Sequence, residues 1–228
     1  MSVLILNSIT SKNASRLEPG QVWAMYCDAD NFPKFYGWIS KVKLEPFKVY
    51  LAWLEACPQV EQEKQWLEQD VPVSCGKFKV RNWKTKYETT DTFSHLVHKV
   101  HDPKREIEIH PNVGEIWSIY ENWSLGWAPS GTNYRAEYSI GEIVKRTRTC
   151  TYVYLLTKIE GYVAVFKPAI PSKAVKIPVE EKLRFSHRIP SFSLTEEEGG
   201  QLRDFYELDL ASVPQVFLQK NIPLNRGG

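Results

Sequence analysis

Two serine–histidine neighbours, Ser94-His95 and Ser186-His187, are the first residues whose types could do chemistry. A hydroxyl bonded to an imidazole is the start of a nucleophilic dyad. Each pair follows a phenylalanine in a strand-like stretch, and adjacent residues on a strand point to opposite faces. Hydroxyl and ring can meet only across a sharp kink, so a structural role at a strand end is expected. The chain has no Gly-x-Ser-x-Gly, His-Glu-x-x-His or Gly-x-Gly-x-x-Gly arrangement and no phosphate-binding glycine loop. An enzyme is not expected.

His95, His98 and His101 recur every third residue, a spacing that could share a metal on a helix. The intervening Leu96-Val-His-Lys-Val100 has the composition of a strand or loop, and no cysteine pair accompanies it. No metal and no other cofactor is expected. Cys27, Cys57, Cys75 and Cys150 are scattered, which fits reduced thiols in the cytosol or nucleus better than a disulfide framework.

The aromatic load is the stronger signal: eight Trp, eleven Tyr and ten Phe. Tyr26, Phe32, Phe35, Tyr36, Trp38 and Trp53 cluster near turns in the first half; Tyr120, Trp123, Trp127, Tyr134 and Tyr138 do so in the second. Core packing accounts for alternate members, whereas the loop-borne Trp123 and Trp127 are harder to bury. Rings around an open pocket attract methylated ammonium groups through their quadrupole, at roughly 0.5–2 kcal/mol per ring. The carboxylates of Asp28, Asp30 or Glu121 would add Coulomb attraction.

A second binding chemistry is suggested by Lys77, Lys79, Arg81, Lys84 and Lys86, interleaved with Phe78 and Trp83. Against it stands a net charge of only +2 with 25% charged residues. A solvated strand is the favoured reading of this stretch, and nucleic acid is not the favoured partner.

The elements that position these residues are written twice. Gly20-Gln-Val-Trp23-Ala-Met-Tyr26 returns as Gly114-Glu-Ile-Trp117-Ser-Ile-Tyr120, and Phe93-Ser-His95 returns as Phe185-Ser-His187. The spans from glycine to phenylalanine agree to within two residues. Two tandem units of about 75–80 residues are expected. Residues 1–16 read as a lead-in, 17–100 as the first β unit and 101–111, with its two prolines, as a linker. Residues 112–194 read as the second unit and 195–228 as a tail with a short helix over Asp209–Pro214. Short alternating runs dominate, with one helix over Val60–Gln69 that buries Trp66 and Leu67. The class is mainly β with short helices (α+β). At 43% hydrophobic residues a packed core is expected. The apolar start, Met1–Leu6, is too short to span a bilayer, and a soluble intracellular chain with no membrane partner is expected.

The opening of the first unit resembles a Tudor-type (SH3-like) small β-barrel. The motifs are Gly20–Tyr26, an acidic turn, Phe35-Tyr36-Gly-Trp-Ile-Ser-Lys-Val42 and Val49-Tyr-Leu-Ala-Trp53. That resemblance implies a methyl-lysine cage of Tyr26, Tyr36 and Trp53, with Phe35 as a rival for the second place; the loop-borne Trp123 and Trp127 stand beside them as cage candidates on residue type and position alone. Longer motifs include Pro72-Val-Ser-Cys75-Gly-Lys-Phe-Lys79, Pro111–Trp123, Lys158-Ile-Glu-Gly-Tyr162-Val-Ala-Val-Phe166-Lys and Leu183–Phe192. They are similar to a plant domain of unknown function found at the C-terminus of J-domain (heat-shock cochaperone-type) proteins. The J-domain's own His-Pro-Asp tripeptide is absent; His101-Asp-Pro103 has the order wrong. The resemblance implies nuclear complexes with methyl-DNA-binding, SET-related proteins that promote transcription. The expected function is a nuclear chromatin reader that binds a methylated lysine of a histone tail. A docking module indifferent to modification, linking a J-domain protein to those nuclear partners, is the alternative.

Overall fold

The computed structural model describes residues 16–28, 30–100, 102, 104, 106–121, 123–124, 137–169, 174–195 and 200–218. The protein is mainly β, with about half of its residues in strands that form two nearly closed, barrel-like sheets. The first sheet contains β1 (Gln21–Met25), β2 (Phe35–Leu44), β3 (Phe47–Ala56), β4 (Gly76–Tyr87), β5 (Phe93–Lys99) and β6 (Ile107–Ile109). Their order is β5-β1-β2-β3-β4-β6, antiparallel throughout.

The second sheet contains β7 (Ile116–Tyr120), β8 (Tyr138–Arg146), β9 (Cys150–Lys158), β10 (Val165–Pro168), β11 (Val175–Pro178), β12 (Phe185–Ile189), β13 (Ser191–Ser193) and β14 (Tyr206–Leu208). Its order is β12-β7-β8-β9-β10-β14-β13, with β11 also paired to β9. The path β5-β1-β2-β3-β4 therefore has a counterpart in β12-β7-β8-β9-β11.

The twice-written motifs pack in the same way in both halves. Trp23 packs edge-on against Phe93 at 6.1 Å, and Trp117 against Phe185 at 5.8 Å. Each indole N–H donates to the side chain two residues earlier: Trp23 to Gln21 at 2.7 Å and Trp117 to Glu115 at 2.9 Å. Each tryptophan lies opposite a glycine of the next strand, Gly37 and Gly141. A Cβ at either glycine would sit 2.3 Å from a buried side chain, Leu51 or Val153 respectively. Only glycine leaves room for these neighbours at that approach.

Several elements depart from expectation. Part of the 101–111 linker is a strand: Ile107 and Ile109 are buried on either side of exposed Glu108, and β6 pairs with β4. The helix spans Glu61–Glu68 and buries Trp66 as expected, but Glu63 rather than Leu67 is its second buried residue. The cause is Lys182 of the other half, whose Nζ lies 2.6 Å from Glu63 Oε1. In the tail, Pro214 precedes a single helical turn, Gln215–Leu218, instead of ending one, and residues 210–212 are turn.

The halves share an interior. One core cluster unites Val22, Ala24, Tyr36 and Trp66 with Tyr120 and Leu183. Cys75, on the segment leading into β4, is buried among Trp117, Ile119, Ile143, Val153, Ile177 and Phe185 of the second sheet. Ser74 donates its hydroxyl to the Ser186 carbonyl and accepts the Tyr36 hydroxyl on its own carbonyl, so one residue links the polar groups of both halves.

Candidate functional site

A hollow of ≈1120 Å³ opens between the two halves. Its walls come from the turn before β2, the segment after the helix, the facing ends of β7 and β8, and the chain around Leu210–Leu218. Three rings meet along it. Phe32 meets Tyr138 edge-on at 6.0 Å, and Tyr138 leans over Tyr120 at 5.3 Å. Tyr120 and Tyr138 are cross-strand partners of β7 and β8, which forces their side chains onto one face. Asp30, Asp70, Glu121 and Glu137 also line the hollow, against the single cation Lys34 among its described residues.

Lys34 shows what these surroundings favour. Its side chain is nearly buried, its Nζ lies 2.6 Å from Asp30 Oδ2, and the same nitrogen stands 5.0 Å from the centre of the Phe32 ring. The Phe32 backbone N–H donates to the other Asp30 oxygen at 3.0 Å, fixing the turn that holds all three. An ammonium against a ring face and a carboxylate is the arrangement that recognises cationic ligands.

The residues carried over from the barrel resemblance are not brought to one hollow. Tyr36 is buried and donates to the Ser74 carbonyl at 2.8 Å. Trp53 belongs to the other core cluster, on the opposite face of the sheet, where it meets Tyr87 edge-on and donates to Thr85 Oγ1 at 3.1 Å. Tyr26 donates its hydroxyl to Asp209 Oδ2 at 2.9 Å and braces the chain after β14; burial, then the Asp209 carboxylate, push its phenol well above the ordinary range. Phe35 is exposed at the start of β2. Trp123 packs against the shared core, and its buried indole N–H has no acceptor among the described residues. Trp127 lies outside the described residues. Of the acidic neighbours, Asp30 and Glu121 line the hollow, while Asp28 is exposed outside it.

Phe32, Tyr120 and Tyr138 stand out in the sequence only as part of the aromatic load. One signal could have found Tyr120: it occupies the place in the second motif that Tyr26 holds in the first. Nothing local marks Phe32, whose partners come from a distant part of the chain.

The serine–histidine pairs do bond, which corrects the expectation drawn from strand geometry. Ser94 Oγ lies 3.0 Å from His95 Nδ1, and Ser186 Oγ lies 3.0 Å from His187 Nδ1. The kink is real in both halves: β1–β5 and β7–β12 each slip register at this point, and such a bulge re-aims a side chain. His187 Nε2 donates to the Ser212 carbonyl at 2.7 Å, so Nδ1 accepts from the Ser186 hydroxyl. Burial holds the His187 pKa down at about 3 and that of His95 well below the usual range, so both rings are neutral. Ser186 and His187 are closed to solvent, and the pair ties β12 to the tail.

A smaller hollow of about 210 Å³ is lined by His95, His98, His110, Arg146 and Arg188 together with Glu108 and Glu115. Arg188 is paired to Glu115 at 3.3 Å. No group of three or more His, Cys, Asp or Glu among the described residues is arranged to hold a metal ion. His101 is outside them.

Fold and hollow define a mainly β protein whose two barrel-like sheets enclose an acidic, ring-lined groove. The chain belongs to the family described as Domain of unknown function (DUF3444), whose sequence model matches residues 7–198. No curated protein and no solved structure matches it.

Proposed function

We propose that the groove between the halves binds a methylated lysine of a histone tail, and that the protein is a non-enzymatic chromatin reader acting in transcriptional regulation in the nucleus. The observation that carries this reading is the meeting of Phe32, Tyr120 and Tyr138 beside four carboxylates, with the Lys34 ammonium resting on Phe32. A methylated ammonium gains from ring faces and loses little hydration on leaving water, whereas the carboxylates draw in the basic residues flanking it. The matching strand paths and Trp–Phe pairs support reading the halves as tandem copies of a Tudor-like barrel. In this proposal the cage forms at the junction and not inside either copy. The plant origin and J-domain context implied by the resemblance belong to the same proposal.

Calorimetric titration with histone peptides carrying zero, one, two or three methyl groups on one lysine tests it. Affinity that rises at least several-fold with methylation supports the reading; equal affinity removes it. One observation favours docking without regard to modification: Tyr120 is only 2% and Phe32 8% exposed, so both present little ring surface. Under that second reading the groove takes a basic segment of a methyl-DNA-binding nuclear partner through its carboxylates. Binding then weakens with salt and is unchanged by methylation.

A further inference from the structure

The outer face of the β2–β3–β4 meander carries a concentration of positive charge that the fold does not use. Strand register puts Lys41 beside Tyr50 and Tyr50 beside Lys86 in one row across three strands. The flanking rows add the direct cross-strand pair Lys43–Lys48 and, on the other side, Lys84 opposite Ala52. Their neighbours Val42, Val49 and Tyr87 point inward to the core, which fixes these side chains on the outer face. Lys41, Lys43, Lys48, Lys84 and Lys86 thus surround Tyr50.

One carboxylate answers them: Glu88 pairs with Lys86 at 2.9 Å and Lys48 at 3.6 Å. Lys41, Lys43 and Lys84 are exposed and have no ion pair among the described residues. Like charges directly opposite on a sheet oppose folding, so Lys43–Lys48 is not explained by stability. The remaining bases of the sequence stretch behave differently: Lys77 pairs with Glu106, and Lys79 and Arg81 pair with Glu55. The division falls at the bulge in β4 opposite Ala52–Leu54. Trp83, 58% exposed with the Arg81 guanidinium over its ring at 4.4 Å, alternates with Lys84 and Lys86 and so belongs to the opposite face of the sheet.

We infer that this face binds single-stranded nucleic acid, its lysines tracking the phosphates while Tyr50 offers a ring for base stacking. Lysine rows about 5 Å apart across strands and about 7 Å apart along them match a flexible polyanion better than a compact anion. A ring set among lysines on an open sheet is what an unpaired base requires. None of these residues lines the groove, so the two sites are separable.

Fluorescence anisotropy with labelled oligothymidylate and oligouridylate of about 20 nucleotides, at about 50 and 200 mM salt, tests the inference. Binding should weaken steeply with salt. The double variant Lys43→Gln/Lys84→Gln, which removes two unpaired exposed charges, should bind about tenfold more weakly. Its salt dependence should be shallower, by about 0.7 in log–log slope for each phosphate no longer neutralised. Tyr50→Leu should weaken binding several-fold with the slope unchanged, and unchanged thermal unfolding of each variant shows that folding is not the cause. No binding at the lower salt overturns the inference, as does equal binding by the double variant. Stronger binding to phosphatidylserine vesicles with no effect of Tyr50→Leu overturns it in favour of an anionic membrane surface.

Discussion

The ring of Phe32 lies flat on the imidazole of His187, with 4.3 Å between centroids and 17° between planes. One is a groove residue from the first half; the other closes the Phe-Ser-His motif of the second. The stack joins the candidate binding surface to a buried, neutral histidine, so protonation of that histidine disturbs both folding and groove.

Stability should accordingly depend on pH. The His187 pKa of about 3 lies below the ordinary value of about 6.5, so between those values the unfolded chain binds a proton that the folded one refuses. The contribution is fully present above the unfolded value, about pH 6.5, and is lost as pH falls toward about 3; His95 acts in the same sense. Urea midpoints measured from about pH 7.5 down to about pH 5 should fall below the unfolded value, and the fall should shrink in His187→Gln. A flat profile would refute the neutral-ring assignment.

The Glu63–Lys182 pair bridges the halves with both side chains largely withdrawn from water. Glu63 also accepts the Gln59 backbone N–H at 2.9 Å. Lys182→Met leaves that carboxylate buried and uncompensated, and should cost about 3–5 kcal/mol in chemical denaturation. Replacing both members with apolar residues, as in Glu63→Leu/Lys182→Met, should recover much of the loss. Equal destabilisation by single and double variants would refute the coupling.

Gly141→Ala should destabilise by about 1–3 kcal/mol through the overlap with Val153, a β-branched residue with little rotamer freedom. Gly37→Ala overlaps three atoms of the fully buried Leu51, its Cγ included, and should cost at least as much. Thermal unfolding of the two variants orders them, and the reverse order would contradict the packing described.

In the groove, Tyr138→Ala should weaken binding of a methylated peptide by about 1–2 kcal/mol while leaving an unmethylated control nearly unaffected. Lys34→Gln removes the internal ammonium from Phe32 and Asp30, and should tighten cationic ligands several-fold. Calorimetry on both variants reads these effects. Weaker binding in Lys34→Gln would mean that Lys34 shapes the groove rather than competing for it.

Much of the framework is legible in the sequence because its signals are local or repeated. Trp23 with Phe93 and Trp117 with Phe185 announce themselves by type and spacing, and the packed pairs follow. Strand β6 is hidden because Ile107-Glu-Ile109 is too short for alternation to stand out among charged neighbours. Glu63 reads as a solvated helix residue because the lysine that makes its burial tolerable lies in the other half. The Ser–His bonds escape a sequence reading because a bulge is a property of strand pairing, and one strand's residue types do not reveal it. The groove is the least legible part. Tyr120 and Tyr138 become neighbours through register, and Phe32 joins them only when the halves close on each other.

Cys75 serves as an internal seal. Its sulfur comes from one sheet and is enclosed by the other, and burial drives its thiol far from the reactive, ionised form. Severing the chain ahead of β7 would strip the second half of a piece of its filling and uncover an apolar wound on each fragment. Alkylation at this single sulfur would then act as a clock for parting of the two bodies, silent while they stay closed and fast once they separate.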